Sequence, residues 1–103
     1  MPKFALFARL EAKPGKEADV ERFLEAGLSL ARQETTTPIW FALRLSQTTF
    51  GVFDAFYDEA GREAHLAGPI AQALMANAPE LLASPPSIES IEVLGLKNEL
   101  KPS

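Results

Sequence analysis

Apolar and polar residues alternate from residue 3 to 13. Phe4, Leu6, Ala8 and Leu10 fall on one face, and Ala5, Phe7, Arg9 and Glu11 on the other. That period of two predicts a strand, which Pro14-Gly15 ends. From Lys16 the period lengthens, and Val20, Phe23, Leu24, Leu28 and Ala31 form a helical stripe. Glu17, Asp19 and Glu21 load its first turns with acid, as the helix dipole favours. The helix is expected to stop near Gln33, because Thr35-Thr36-Thr37 are poor helix formers and Pro38 disfavours a helical residue before it. Residues 39–46 and 50–57 read as two strands, too close for a crossover helix and therefore an antiparallel hairpin. Asp58 has the chemistry of an N-cap for a short helix. Gly68-Pro69 ends that helix and starts another, with Ile70, Ala73, Leu74, Asn77, Ala78 and Leu81 on one side. Pro79 is expected to kink or split it. A last strand, Ile88 to Leu96, follows Ser84-Pro85-Pro86, and residues 97–103 form a polar tail.

The order β-α-β-β-α-β, with the second helical region split in two, is the ferredoxin-like α+β pattern: helices on one face of a four-stranded antiparallel sheet. Both sheet faces carry large apolar groups, yet helices cover only one. The other face calls for a partner sheet, and a homodimer through the sheet face is the simplest arrangement. In the hairpin, a turn at Gln47-Thr48-Thr49 pairs Ser46 with Phe50, Arg44 with Val52, Ala42 with Asp54 and Trp40 with Phe56. Arg44 and Asp54 then become diagonal neighbours on a mixed face. The opposite face, Ile39, Phe41, Leu43, Leu45, Phe53, Ala55 and Tyr57, is almost wholly apolar. A one-residue slip destroys this segregation. The apolar face is assigned to the helices, and the mixed face to a cavity between sheet and partner.

The chain's 103 residues suit one domain, 1–103, with 47% hydrophobic and 23% charged residues marking it as globular. A formal charge of −4 without a basic run argues against nucleic acid or an anionic membrane as partner. No apolar run approaches the ~18 residues of a span, and the N-terminus lacks a signal-peptide core, so a cytoplasmic protein is expected. There is no cysteine and one histidine, which leaves no spacing for a metal site, and no phosphate loop or nucleophile elbow is present. Chemistry therefore rests on a few polar groups in an apolar pocket. His65, Asp54 and Arg44 are the candidates for that chemistry, with His65 able to act as acid or base near neutral pH. Trp40, Phe56, Tyr57, Phe7 and Arg9 are candidate lining residues for a small-molecule ligand. The same residues also have plain structural uses: a cross-strand ion pair for Arg44 and Asp54, an interface or core aromatic for Trp40, and a hydrogen-bonded structural imidazole for His65.

Three segments carry a family resemblance: Ala12-Lys13-Pro14-Gly15-Lys16-Glu17, Phe53-Asp54-Ala55-Phe56-Tyr57-Asp58-Glu59-Ala60, and Glu63-Ala64-His65-Leu66-Ala67-Gly68-Pro69. In this order, from Phe4 to Leu96, the chain resembles the antibiotic biosynthesis monooxygenase domain of the dimeric α+β barrel superfamily. The resemblance implies cofactor-independent oxygenation of a small aromatic, quinol or polyketide-like substrate. The substrate anion itself would pass an electron to oxygen. Trp40 would pack the ring, Arg44 steady an oxyanion, and His65 or Asp54 take the proton. The alternative reading is a non-catalytic small-molecule-binding barrel; the resemblance to the superfamily also brings in a haem-degrading branch that uses an Asn, a Trp and a haem-ligating His, and a sugar-phosphate branch to which Arg9, Arg44 and His65 would correspond. The first strand here holds no Asn, and Ile39 and Phe41 flank Trp40.

Overall fold

A computed structural model describes residues 1–98. The elements run β1 (Phe4–Glu11), α1 (Glu17–Ala31), β2 (Ile39–Arg44), β3 (Thr49–Phe56), α2 (Glu59–Leu66), α3 (Pro69–Leu81) and β4 (Ser87–Glu92). The sheet order is β2-β3-β1-β4, with every neighbouring pair antiparallel. β1 and β2 are therefore parallel, with β3 between them, and α1 is their crossover. β3 and β4 are likewise parallel, joined by α2 and α3. Crossovers of this kind are nearly always right-handed, so two interleaved ones place their helices on the same side of the sheet. This is the expected ferredoxin-like α+β fold.

Three boundaries differ from the periodicity. α1 ends at Ala31, two residues early, with the Arg32 amide donating to the Leu28 carbonyl at 3.0 Å. α3 runs through Pro79 to Leu81. The proline sits in the last turn, where few hydrogen bonds remain to be lost, and the Leu82 amide still reaches the Ala78 carbonyl at 2.8 Å. β4 stops at Glu92 rather than Leu96, because its partner β1 begins opposite, at Phe4. The Val93 amide makes one further bond to the Lys3 carbonyl. The anticipated polar tail lies in part, at residues 99–103, outside the described residues.

The hairpin register is offset by two residues. Arg44 lies opposite Phe50, Ala42 opposite Val52 and Trp40 opposite Asp54. The cause is Ser46, whose hydroxyl accepts from the Thr49 and Thr48 amides at 3.1 and 3.3 Å. This local side-chain turn moves the loop back by one residue, to 46–48, with the Leu45 amide donating to the Thr49 carbonyl at 2.8 Å. An even offset preserves face membership, so Trp40, Val52, Asp54 and Phe56 still share one side.

The assignment of faces is inverted. Leu10, Phe50 and Val52 pack with Val20 and Leu24 of α1 and Ala78 of α3, and Trp40, Phe23, Leu74 and Leu81 close around them. The mixed face is thus the helix-covered one. Phe41 is 52% exposed on the far side, 6.5 Å from the Phe53 ring. Phe7 lies on that outer face too, with its ring over Gly51; a Cβ there would approach Phe7 Cε1 to 3.0 Å. Met75, which has core spacing, is exposed.

Asp58 caps α2, its carboxylate accepting from the Gly61 amide at 2.8 Å. Asp58→Ala should cost about 1 kcal/mol of stability, the usual value of such a cap. A thermal melt should show this as a drop of roughly 4–8 °C. An unchanged melting temperature would show that α2 does not depend on its cap.

Candidate functional site

The polar site is built where three segments converge on the covered face of β3. Asp54 projects from the strand with only 2% of its surface exposed. α2 leaves its Asp58 cap and places His65 over the Phe56 ring, centroids 5.4 Å apart. The α1–β2 loop supplies Glu34 and Thr37. Gly61 permits this convergence: a Cβ at that position would lie 3.1 Å from the Thr36 carbonyl oxygen and 3.5 Å from Phe56 Cβ. Helix and loop can therefore approach closely only without a side chain there.

His65 is held at both nitrogens. Nδ1 is 2.7 Å from Glu34 Oε1, and Nε2 is 2.9 Å from Asp54 Oδ2. Thr37 donates its hydroxyl to the same Glu34 Oε1 at 2.7 Å. Burial by itself would pull the imidazole pKa down, but the hydrogen bonds and charges of Asp54 and Glu34 outweigh it and raise it to about 9. His65 is therefore an imidazolium at neutral pH, donating to two carboxylates. Asp54 is shifted up, chiefly by burial, with the His65 bond and charge opposing and the Glu34 charge adding. One imidazolium thus lies between the buried Asp54 and the partly buried Glu34 carboxyl groups. Three buried polar atoms nearby have no partner: Asp54 Oδ1, Glu34 Oε2 and Trp40 Nε1.

α1, α3 and the sheet border a partly open apolar pocket of about 100 Å³, lined by Phe23, Leu30, Trp40, Val52, Ile70 and Leu74 among others, with Asp54, His65 and Glu34 outside its lining. The Trp40 six-membered ring borders it, its Cζ2 and Cη2 3.5 Å from where a Cβ of Gly27 would stand. A larger groove of about 450 Å³ lies between α3 and residues 83–86. Its one charged lining residue is Lys13, whose ammonium is bound to the Pro79 carbonyl, so the groove offers little chemistry.

The structure brings Trp40, Asp54, Phe56 and His65 to one side and separates the rest. Arg44 lies opposite Phe50, four register positions from Asp54; it pairs with Glu21 and lies 4.6 Å over the Phe50 ring, so the expected Arg44–Asp54 ion pair is absent. Arg9 and Phe7 belong to the outer sheet face, and Tyr57 is 63% exposed at the end of β3. Trp40 and Val52 of this face line a space under the helices, not one between sheet and partner, and Asp54 lies outside its lining. Glu34 and Thr37 escaped the sequence reading. One signal pointed to Glu34: it is the sole acidic residue between Glu25 and Asp54.

The NE2512 protein of unknown function from Nitrosomonas europaea is 59% identical, covers 98% of each chain and superposes with a TM-score of 0.93. The chain belongs to the NE2512 family. It also shares the fold of two proteins named "putative antibiotic biosynthesis monooxygenase". The one from Nitrosomonas europaea has 13% identity, covers 89% of this chain and 99% of its own, and gives a TM-score of 0.79. The one from Caulobacter crescentus has 18% identity, covers 91% and 92%, and gives 0.76. No family model and no curated protein matches the sequence. Among the described residues, no helix is long and apolar enough to cross a membrane.

The buried imidazolium has a pH signature in this NE2512-family chain. A folded-state pKa of about 9 against an ordinary 6.5 means the folded protein binds this proton more tightly than the unfolded chain does. The resulting stabilisation is complete below about pH 6.5 and is lost as pH rises through about 9. Unfolding free energy should fall across that window by up to roughly 3 kcal/mol. NMR titration of the single imidazole should give a midpoint near 9; a midpoint near 6.5 would contradict the assignment.

Proposed function

We propose that the protein is a cytoplasmic homodimeric α+β barrel that binds a small aromatic or quinol molecule under its helices and oxygenates it without a cofactor. The observation that carries this reading is Asp54. One of its oxygens is fixed by His65, the other is buried and unpartnered, and burial raises its affinity for a proton. It stands opposite Trp40, which lines the apolar cavity.

In this reading His65 is not the base, because an imidazolium bonded at both nitrogens has no lone pair to offer. It holds Asp54 in place and tempers the charge left when Asp54 is ionised. Asp54 Oδ1 takes the proton from the substrate's acidic position, and the apolar walls keep the resulting anion dry and electron-rich. The anion passes an electron to dioxygen and the two radicals combine. One oxygen atom enters the substrate as a carbonyl and the other leaves as water, so a methylene becomes a ketone at the cost of one dioxygen. Arg44 takes no part, being committed to Glu21 on the other side of Phe50. A sugar-phosphate substrate is disfavoured because Arg9, Arg44 and His65 do not converge.

Dimerisation is supported by the outer sheet face. Phe7, Phe41, Leu43, Phe53 and Ile91 share it by strand parity, and no helix covers it. An apolar surface of this kind is most simply buried against a second copy.

The second reading, a binding protein without turnover, is favoured by the same closed His65 geometry. Oxygen uptake with a panel of quinols and anthrones, the latter carrying such a methylene, separates the two. The oxygenase reading expects dioxygen consumption that falls at least about 100-fold in Asp54→Asn, the lower range for removal of a general base. No uptake above buffer would leave the binding protein. In sizing experiments the chain should run at twice its 11.2 kDa mass, and Phe41→Glu should convert it to a monomer. A wild-type monomer at micromolar concentration would remove the dimer from the proposal.

A further inference from the structure

We propose that Gly27 is the specificity-determining residue of the pocket between α1 and α3: by carrying no side chain, it leaves the ring edge of Trp40 open to an uncharged apolar molecule. This rests on the reading of that pocket as the ligand site, and it does not require oxygen chemistry.

Glycine inside a helix is a poor choice on propensity alone, because it loses more backbone freedom on folding than any other residue. Gly27 lies well within α1 (Glu17–Ala31), so the helix forgoes stability there. Two ordinary reasons for a glycine are absent. The first is backbone conformation: among the described residues Gly15 is the one glycine with positive φ, at 84°. The second is space. A Cβ at Gly51 would come to 3.0 Å from the Phe7 ring, and one at Gly61 to 3.1 Å from the Thr36 carbonyl oxygen, so both positions resist a side chain. A Cβ at Gly27 would meet only Trp40 outside its own helix, at 3.5 Å from Cζ2 and from Cη2. That is an ordinary van der Waals distance. Alanine therefore fits against the indole and would suit the helix better.

What an alanine would take away is room in the pocket. Gly27 and Trp40 both line it, together with Phe23 of α1, Val52 of β3 and Leu74 of α3. A methyl group at residue 27 would stand on that lining, against the Trp40 ring edge that a ligand would otherwise touch. No lining residue is charged, so a charged group entering there would lose its water and gain no counter-charge. The pocket thus selects a neutral ring or hydrocarbon group, and residue 27 decides how closely that group approaches Trp40.

The chain has a single tryptophan, so its ring signals in an NMR spectrum report directly on the pocket. Toluene should shift the Trp40 Cζ2 and Cη2 signals saturably, and benzoate should bind at least about tenfold more weakly. Gly27→Ala should raise the melting temperature by about 4–8 °C and weaken toluene binding about fivefold or more. Stability gained while binding is lost is the signature of a pocket kept open by the glycine; a purely structural glycine would not give it. The proposal is overturned if toluene does not bind, or if benzoate binds as well as toluene. It is also overturned if Gly27→Ala leaves toluene affinity unchanged or melts no higher than the wild type. Toluene binding without dioxygen uptake from quinols or anthrones would sink the oxygenase and leave Gly27 in its role. Dioxygen uptake with an unchanged KM in Gly27→Ala would keep the oxygenase and remove Gly27 from ligand selection.

Discussion

The contact on which the rest of the molecule depends is the buried imidazolium of His65 between Asp54 and Glu34. It joins three segments distant in sequence: the middle of β3, the last turn of α2 and the loop after α1. A buried carboxylate without a counter-charge costs several kcal/mol, so Asp54 can occupy the covered sheet face only because α2 delivers a cation to it. α2 can do so only because its start is capped by Asp58 and because Gly61 lets it settle against Thr36. The loop, in turn, is held by Thr37 donating to the same Glu34 oxygen that His65 uses.

This arrangement explains why the more polar side of the hairpin faces inward and the more apolar side outward. Hydrophobicity alone predicts the opposite. The helices cover whichever face the crossover connections dictate, and on that face Asp54 is tolerated because it is paired. The opposite face keeps Phe7, Phe41 and Phe53 because nothing within the chain covers them. The apolar surplus on the outside and the ionic cluster on the inside are two consequences of one constraint, the side on which the crossovers lie.

The division of labour within the cluster also follows from its geometry. An imidazole with one free nitrogen is a natural proton acceptor near neutral pH. His65 has none free, so in the proposed reaction the proton goes to the carboxylate oxygen it leaves open. The shared fold does not distinguish one reaction from another, since a fold of this kind hosts many.

Much of this was legible in the amino-acid order. Alternation at Phe4–Leu10, the apolar stripe from Val20 to Ala31, the Asp58 cap and the Gly68-Pro69 break all act within a few residues, so local rules read them correctly. Parity placed Trp40, Asp54 and Phe56 on one face, and that survived a register error because the offset was even. Three things required the tertiary structure. The register was set by the Ser46 hydroxyl bonding to the Thr48 and Thr49 amides, a choice between two local turns of similar quality. The inward face was decided by the side on which the crossover helices pack, to which strand parity is blind. The partner of His65 was Glu34, 31 residues away in a loop, because a buried charge is answered by whatever the fold brings near it. Periodicity reports which residues share a side; only the packed chain decides which side is covered and which charges meet there.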